Sequence, residues 1–377
     1  MVYLDYAAST PVDIDVLNDF YDVTKKYYAN PNAQHNLGID ANHLIDKKST
    51  EIARLLGCKK EELIYTSGAT EANNMAIKGV AEQYKSKGKH IIISSLEHSS
   101  IVAPCNFLQE QGYDIDIVNV SKDGIIDLKQ LEALIREDTI LVSIISVDGE
   151  VGLIEPIEKI AKMLKKYPNV IFHTDASQAI GKVKIDFSNV DLVTIAPHKF
   201  YGLNGIGVLI KKENIMLTPI IHGGHATTIY RSGTPVVAFI SSLALALKKV
   251  YDNFDENNIY VKSLREYFVN KLNNYSKVVL NSNDNSISST INFSVKGMDS
   301  NQFLKQLSLN EVYVSTKASC HKDSKVSLIV YALTNDINLA TSTLRISISH
   351  LTTIEEIDLF FTIFDKCYRK MVNNGEV

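Results

Sequence analysis

A chain of 377 residues is too long for one small hydrophobic core and suits a protein of two globular parts. Apolar residues make up 45% and charged residues 22%, with a formal net charge of −4, so no basic stripe argues for direct nucleic-acid binding and no apolar run is long enough to span a bilayer. The opening MVYLDYAASTPVD lacks a basic stretch followed by an apolar run, and the four cysteines show no CxxC or metal-ligand spacing; the chain reads as a cytoplasmic protein with free thiols.

From residue 60 to 210 strand-like and helix-like stretches alternate. Strands are predicted at 62–67, 90–94, 115–120, 139–147, 170–175, 190–196 and 206–210, with helical patterns such as 71–88 and 157–168 between them. This alternation predicts an α/β fold with a mostly parallel central sheet and helices on both faces. A long helical stretch follows the SGTP at 232–235 and runs to about 255. Beyond it the pattern reads helix 258–274, strands 277–281 and 287–295, helix 299–308, strand 311–316, helix 326–334, strand 343–349 and helix 353–371. The predicted division is a large domain of residues 14–255 and a smaller α+β domain of residues 256–377 joined by residues 1–13.

Five polar turns fall at carboxyl ends of the predicted strands: TSGATE, SLEHSS, VDGEVG, HTDASQ and APHKFYG. In an open α/β sheet that edge is where ligands bind. Lys199 follows a buried strand there, and desolvation at such a place favours a neutral, nucleophilic amine, although an average lysine is simply solvated. Asp175 ends the apolar strand VIFHT, a poor place for a carboxylate without a cationic partner. A lysine that forms a Schiff base and an acid that holds a protonated ring nitrogen are what pyridoxal 5′-phosphate requires. TSGATEANN at 66–74 supplies a tight turn, a hydroxyl and a helix start for a phosphate, though a capped helix start looks the same.

Together these motifs resemble the NifS/IscS-type cysteine desulfurases, members of the class V aminotransferase family of fold-type I enzymes. The resemblance rests on YLDYAASTPVD (3–13), NPNAQHNLG (30–38), YTSGATEANNMAIKG (65–79), EHSSI (97–101), HTDASQAIGK (173–182), PHKFYG (197–202), RSGTP (231–235), SC (319–320) and LRIS (344–347), in family order over nearly the whole chain. It implies that Lys199 carries the cofactor, that His98 stacks on its ring and moves protons, that Asp175 pairs with the ring nitrogen and that Gln178 faces the phenolic oxygen. Ala69, Thr70 and His198 are implied to hold the phosphate, with Thr234 reaching the site of the second subunit of a homodimer. Arg345 and Asn32 are implied to bind the substrate, and Cys320 to take its sulfur. The implied reaction converts L-cysteine to L-alanine and leaves a persulfide on Cys320 for a sulfur-acceptor protein, in iron–sulfur cluster biogenesis or tRNA thiolation. Selenocysteine lyase or another pyridoxal-phosphate lyase or aminotransferase activity on the same fold, or a degenerate homologue acting as a binding subunit, are the alternatives.

Four positions depart from the family pattern. Asp148 stands where an asparagine usually donates to the cofactor's phenolic oxygen; an ionised Asp cannot donate, so it is expected to repel that oxygen or to be protonated. Ala196 replaces a phosphate-binding serine, HGGHATTIYRSGT lacks the usual Glu-Arg pair, and Lys317 replaces the glycine that precedes the nucleophile loop. Cys58, Cys105 and Cys367 read as packing residues, His173 as a packed strand residue, and His222 with His225 as too sparse a set for a metal.

Overall fold

The computed structural model describes residues 1–121, 123–224, 227–316 and 326–373. Strand β1 (Val2–Tyr3) opens the chain, followed by helices α1 (Ile14–Lys26) and α2 (Asn36–Leu56). The alternating stretch becomes β2 (Leu63–Thr66), α3 (Ala69–Tyr84), β3 (His90–Ser94), α4 (Ser99–Gln109), β4 (Asp114–Val118), α5 (Leu128–Leu134), β5 (Thr139–Ser143), α6 (Ile157–Leu164), β6 (Ile171–Asp175), β7 (Leu192–Ile195) and β8 (Gly207–Lys211). Strands β2 to β8 form one sheet in the order β2-β8-β7-β6-β5-β3-β4. Its neighbours are parallel except β8, which runs antiparallel to both β2 and β7.

Side-chain alternation along each strand divides the sheet's two faces. Leu63, Ile92, Val142, Phe172, Val193 and Val208 join one apolar cluster, packed with residues of α1, α2, α6 and α7 (Val237–Asp252). Their chain neighbours Ile64, Ile91, Leu141, Ile171, Leu192 and Leu209 join the opposite cluster, against α3 and α4. Both faces are covered, and that is why these strands read as continuous apolar runs.

The helical stretch predicted to about 255 and the helix predicted at 258–274 are α7 and α8 (Phe254–Leu272), which meet at Asn253 with φ −105° and ψ 13°. Then come β9 (Val278–Leu280), β10 (Thr290–Val295), α9 (Ser300–Ser308), β11 (Val312–Tyr313), α10 (Leu328–Thr334), α11 (Ile337–Thr341), β12 (Thr343–Ser347) and α12 (Ile354–Asn373). Strands β12, β10 and β9 make an antiparallel sheet, and β1 pairs in parallel with β11. Phe268, Phe293, Phe303, Phe360 and Phe364 centre a separate core that takes in Val2 and Leu4 from the start of the chain. Residues 5–13 then cross to the large sheet. The Thr10 hydroxyl donates to the carbonyl of His198 (3.0 Å) and accepts from the N–H of Tyr201 (2.7 Å). This strap ties the small core to the turn that carries Lys199. Among the described residues no helix is long and apolar enough to cross a membrane.

Candidate active site

A cavity of about 470 Å³ opens at the carboxyl ends of β2, β3, β6 and β7. Ala69, Thr70, His98, Asp148, Asp175, Gln178, His198, Lys199 and Arg345 all line it. Its size is ordinary for a small-molecule site.

Lys199 ends a short 3-10 turn, Pro197–Lys199, that leaves β7. Tyr201 follows with φ 66°, a conformation uncommon for a residue with a side chain and a mark of a turn held by its surroundings. The Lys199 amine donates to the carbonyls of Ala7 (2.9 Å) and Ala8 (2.7 Å) on the N-terminal strap. Gln178 donates its amide to the same Ala7 carbonyl at 2.8 Å, and its own oxygen accepts from the Lys182 amine at 2.5 Å. Burial, with Lys199 and Arg345 nearby, lowers the Lys182 amine to about 7. Burial and the same cationic neighbourhood of Lys199 and Lys182 lower His198 to about 4, which makes it a neutral imidazole.

Asp175 ends β6 with its carboxylate buried. One oxygen accepts from the backbone N–H of Ser177 (2.9 Å), the other from the side-chain amide of Asn73 on α3 (2.8 Å). Asn73 also donates to the Ser100 hydroxyl at 2.8 Å. His98 is the N-cap of α4; its Nδ1 lies 2.8 Å from the Ser100 hydroxyl and accepts from the Ser100 backbone N–H at 3.2 Å.

The first turn of α3 presents its amides toward the cavity behind Gly68, a cap without a side-chain hydrogen bond. Gly207 on β8 lets this turn sit close to the sheet: a Cβ there would lie 2.5 Å from the Gly68 carbonyl carbon. Three buried polar atoms on the cavity wall, Ser95 Oγ, Ser177 Oγ and His198 Nδ1, have no hydrogen-bond partner among the described residues. Such groups are costly to leave unpaired and mark where a polar ligand belongs.

Arg345, on β12, is buried and reaches the opposite rim. Its two terminal nitrogens donate to Asp5 (2.7 Å) and to the carbonyl of Gly149 (2.7 Å). Asp148 accepts from the backbone N–H groups of Glu150 (3.1 Å), Val151 (2.6 Å) and Gly152 (3.1 Å), so its carboxylate closes the 148–153 loop. Burial raises its pKa, and these three bonds and Arg345 pull it back in part. The departure from asparagine thus has a local cause: two carboxylate oxygens satisfy three backbone donors, a task one amide oxygen does less well.

The Aminotransferase class-V family matches residues 2–360 of the chain. The cysteine desulfurase IscS of Dictyoglomus turgidum is 36% identical over 98% of this chain and 95% of its own length. Among solved structures, a NifS-like protein superposes with a TM-score of 0.92 at 31% identity, over 98% of this chain and 99% of that one. SspA in complex with cysteine superposes with a TM-score of 0.82 at 32% identity, over 94% of this chain and all (100%) of that one. The chain belongs to the class-V aminotransferase family, among the IscS/NifS cysteine desulfurases.

The cofactor of this class-V desulfurase is pyridoxal 5′-phosphate, and its residues fit that group. Lys199 offers an amine, Asp175 a buried carboxylate for a ring nitrogen, and the start of α3, which has no side-chain cap, a seat for a phosphate; the unpartnered polar atoms of Ser95, Ser177 and His198 line the same cavity. Thr234 lines a separate cavity of about 110 Å³ together with Arg231, which pairs with Glu71 at 2.9 Å. Asn32 is exposed and lines neither cavity. Cys320, with Lys317, lies outside the described residues. Cys105 and Cys367 are buried and Cys58 packs partly against the core. Burial pushes the Cys58 and Cys105 thiols up to about 12, which leaves them protonated and inert. His173 is buried between Ser143 (2.8 Å) and Thr194 (3.1 Å), a packed strand residue. Sequence reading missed Asn73, Ser100, Lys182 and Asp5. Each lies inside one of the quoted motifs, YLDYAASTPVD, YTSGATEANNMAIKG, EHSSI and HTDASQAIGK, but none has a residue type or spacing that by itself assigns it a role.

Proposed function

We propose that this chain is a pyridoxal-phosphate-dependent cysteine desulfurase that works as a cytoplasmic homodimer. It converts L-cysteine to L-alanine and passes the sulfur, as a persulfide on Cys320, to an acceptor protein of iron–sulfur cluster assembly or tRNA thiolation. The observation that carries this reading is the meeting of Lys199, Asp175 and the open start of α3 in one cavity, with Arg345 on its rim. The likeness to IscS proteins and to a protein solved with cysteine supports the substrate.

Bound pyridoxal 5′-phosphate supplies an electron sink for the substrate's Cα–H electrons. Lys199 would hold the cofactor through its amine, and His98 would stack on its ring and move protons. Asp175 keeps a proton on the ring nitrogen, and Gln178 faces the phenolic oxygen. Ala69, Thr70 and His198 hold the phosphate. His198 does so as a neutral donor, since its proton is lost well below neutrality. Thr234 serves the second copy's phosphate, and its place outside the main cavity supports that role. Arg345 receives the substrate carboxylate, joined by Asn32; its bonds to Asp5 and Gly149 use two of the five guanidinium N–H groups, and its buried Nε has no hydrogen-bond partner among the described residues. Asp148 shapes the loop that carries Gly149. The Cys320 thiolate attacks the substrate sulfur; an S–S bond forms as the substrate Cβ–S bond breaks, and the carbon frame takes up a proton and leaves as alanine.

We also propose the division into a large domain of residues 14–255 and a small one of residues 256–377 with residues 1–13. The separate phenylalanine-rich core that takes in Val2 and Leu4 supports it.

The test is alanine release from L-cysteine with a thiol reductant present, against Lys199→Ala as control. Alanine from the wild type and none from the variant is the expected result. No alanine, or turnover of selenocysteine only, contradicts the reading.

A further inference from the structure

His98, Ser100, Asn73 and Asp175 come from three elements and stand in one hydrogen-bonded chain with a fixed direction. Asp175 is an acceptor at both oxygens, so the group Asn73 turns toward it is the amide NH2. The reverse orientation sets a carbonyl oxygen against a carboxylate. The second N–H of the same NH2 points to the Ser100 oxygen at 2.8 Å. With Asn73 donating twice, its Oδ1 is buried and has no partner among the described residues, which is the cost of this orientation. The Ser100 oxygen therefore accepts from Asn73, and its own proton goes to the neighbour on its other side, His98 Nδ1 at 2.8 Å. The backbone N–H of Ser100 aims at the same nitrogen at 3.2 Å. Two donors converge on Nδ1, so the imidazole carries its proton on Nε2.

We propose that Asn73 and Ser100 are positioning residues that couple the acid at the ring nitrogen to the imidazole on the same cavity: Asn73 orients Asp175, and through Ser100 it fixes His98 as the Nε2–H tautomer. The proposal rests on the desulfurase reading for the roles of His98 and Asp175, but the chain itself is a property of the apolar interior. Asn73 and Ser100 are both buried, so solvent does not compete for these bonds. Ser100 reads His98 in one way only, and a methyl in place of its hydroxyl removes the stronger of the two donors to Nδ1.

The experiment uses the full-length holoenzyme labelled with 15N-histidine, with the His98 signals assigned by comparison with His98→Gln. In the wild type, Nδ1 carries the shift of an unprotonated acceptor and Nε2 that of a protonated nitrogen. In Ser100→Ala the His98 signals move toward the Nδ1–H tautomer, and kcat falls roughly ten- to a hundredfold, below the roughly 10²–10⁴-fold typical of losing an acid–base group itself. Ser100→Thr restores both. Asn73→Ala, which leaves the hydroxyl without its fixed neighbour, moves the same signals and serves if Ser100→Ala does not fold. Unchanged His98 signals in Ser100→Ala and Asn73→Ala overturn the proposal whatever the activity. A tautomer change in a protein that releases no alanine leaves the chain standing and removes the desulfurase reading instead.

Discussion

Asp5 and Arg345 are separated by 340 positions in the chain and meet in a 2.7 Å ion pair at the rim of the cavity. Arg345 is 2% exposed and Asp5 18%, so water shields the pair only on one side. Removing the acid leaves a buried guanidinium without its counter-charge. Asp5→Ala is expected to lower the unfolding free energy by about 3 kcal/mol, the lower end of the range for breaking a buried pair. Its KM for L-cysteine rises more than its kcat falls, because the guanidinium loses the partner that aims it. Denaturant unfolding and steady-state kinetics check both; a fall in kcat alone contradicts a positioning role.

Asp148 is the place where the geometry goes beyond the sequence expectation. The expectation was repulsion of the cofactor's phenolic oxygen or protonation; burial shifts the carboxyl toward the protonated form, and the structure adds a role the sequence did not show, acceptance from three backbone N–H groups. Asp148→Asn keeps one oxygen and sets an NH2 against a donor. It is expected to cost about 1–3 kcal/mol of stability, the range for a buried polar group left unsatisfied. Cofactor content, read from the visible absorbance that borohydride bleaches, stays unchanged. A variant as stable as the wild type contradicts this account of the loop.

Glu97, beside His98, is buried, with one oxygen accepting from Ser94 and Ile145, both at 2.7 Å. Burial raises its carboxyl to about 8 from 4.5. The folded protein therefore keeps a proton that the unfolded chain loses across this window, and stability falls as pH rises from about 4.5 to about 8. Glu97→Gln removes that loss. Denaturation midpoints are expected to shift in favour of the variant as pH is raised through the window, and a constant difference contradicts it.

Lys182 has the opposite sign. Its amine is lowered from 10.5 to about 7, so the unfolded chain binds the extra proton and stability rises with pH between those values. Lys182→Met is expected to flatten this rise. Because Lys182 holds the oxygen of Gln178 at 2.5 Å, the visible band of the bound cofactor is also expected to shift. A stability curve that still climbs across the window contradicts the assignment.

The parallel sheet was legible because its strands are apolar on both faces and polar only where they end. Lys199 and Asp175 were legible for the same reason: a charged residue at the end of a buried strand has few uses apart from chemistry. The relay through Asn73 and Ser100 was not, since its partners are 102 and 27 residues apart and neither residue type is unusual on a helix. Nor was the Asp5–Arg345 pair, which exists only because β12 and the N-terminal strap share one sheet edge through the Asp5–Ser347 bridge. The break between α7 and α8 falls at Asn253, slightly before the boundary at 255–258 that the pattern predicts, with no glycine or proline to mark it.

The central claim is that Cys320 receives the substrate's sulfur. Incubation of the holoenzyme with L-cysteine, followed by mass spectrometry of the peptide that contains Cys320, tests it most directly. The account predicts one added sulfur on that peptide in the wild type and none in Lys199→Ala. An added sulfur on Cys58, Cys105 or Cys367 instead, or on no cysteine while alanine is released, contradicts it.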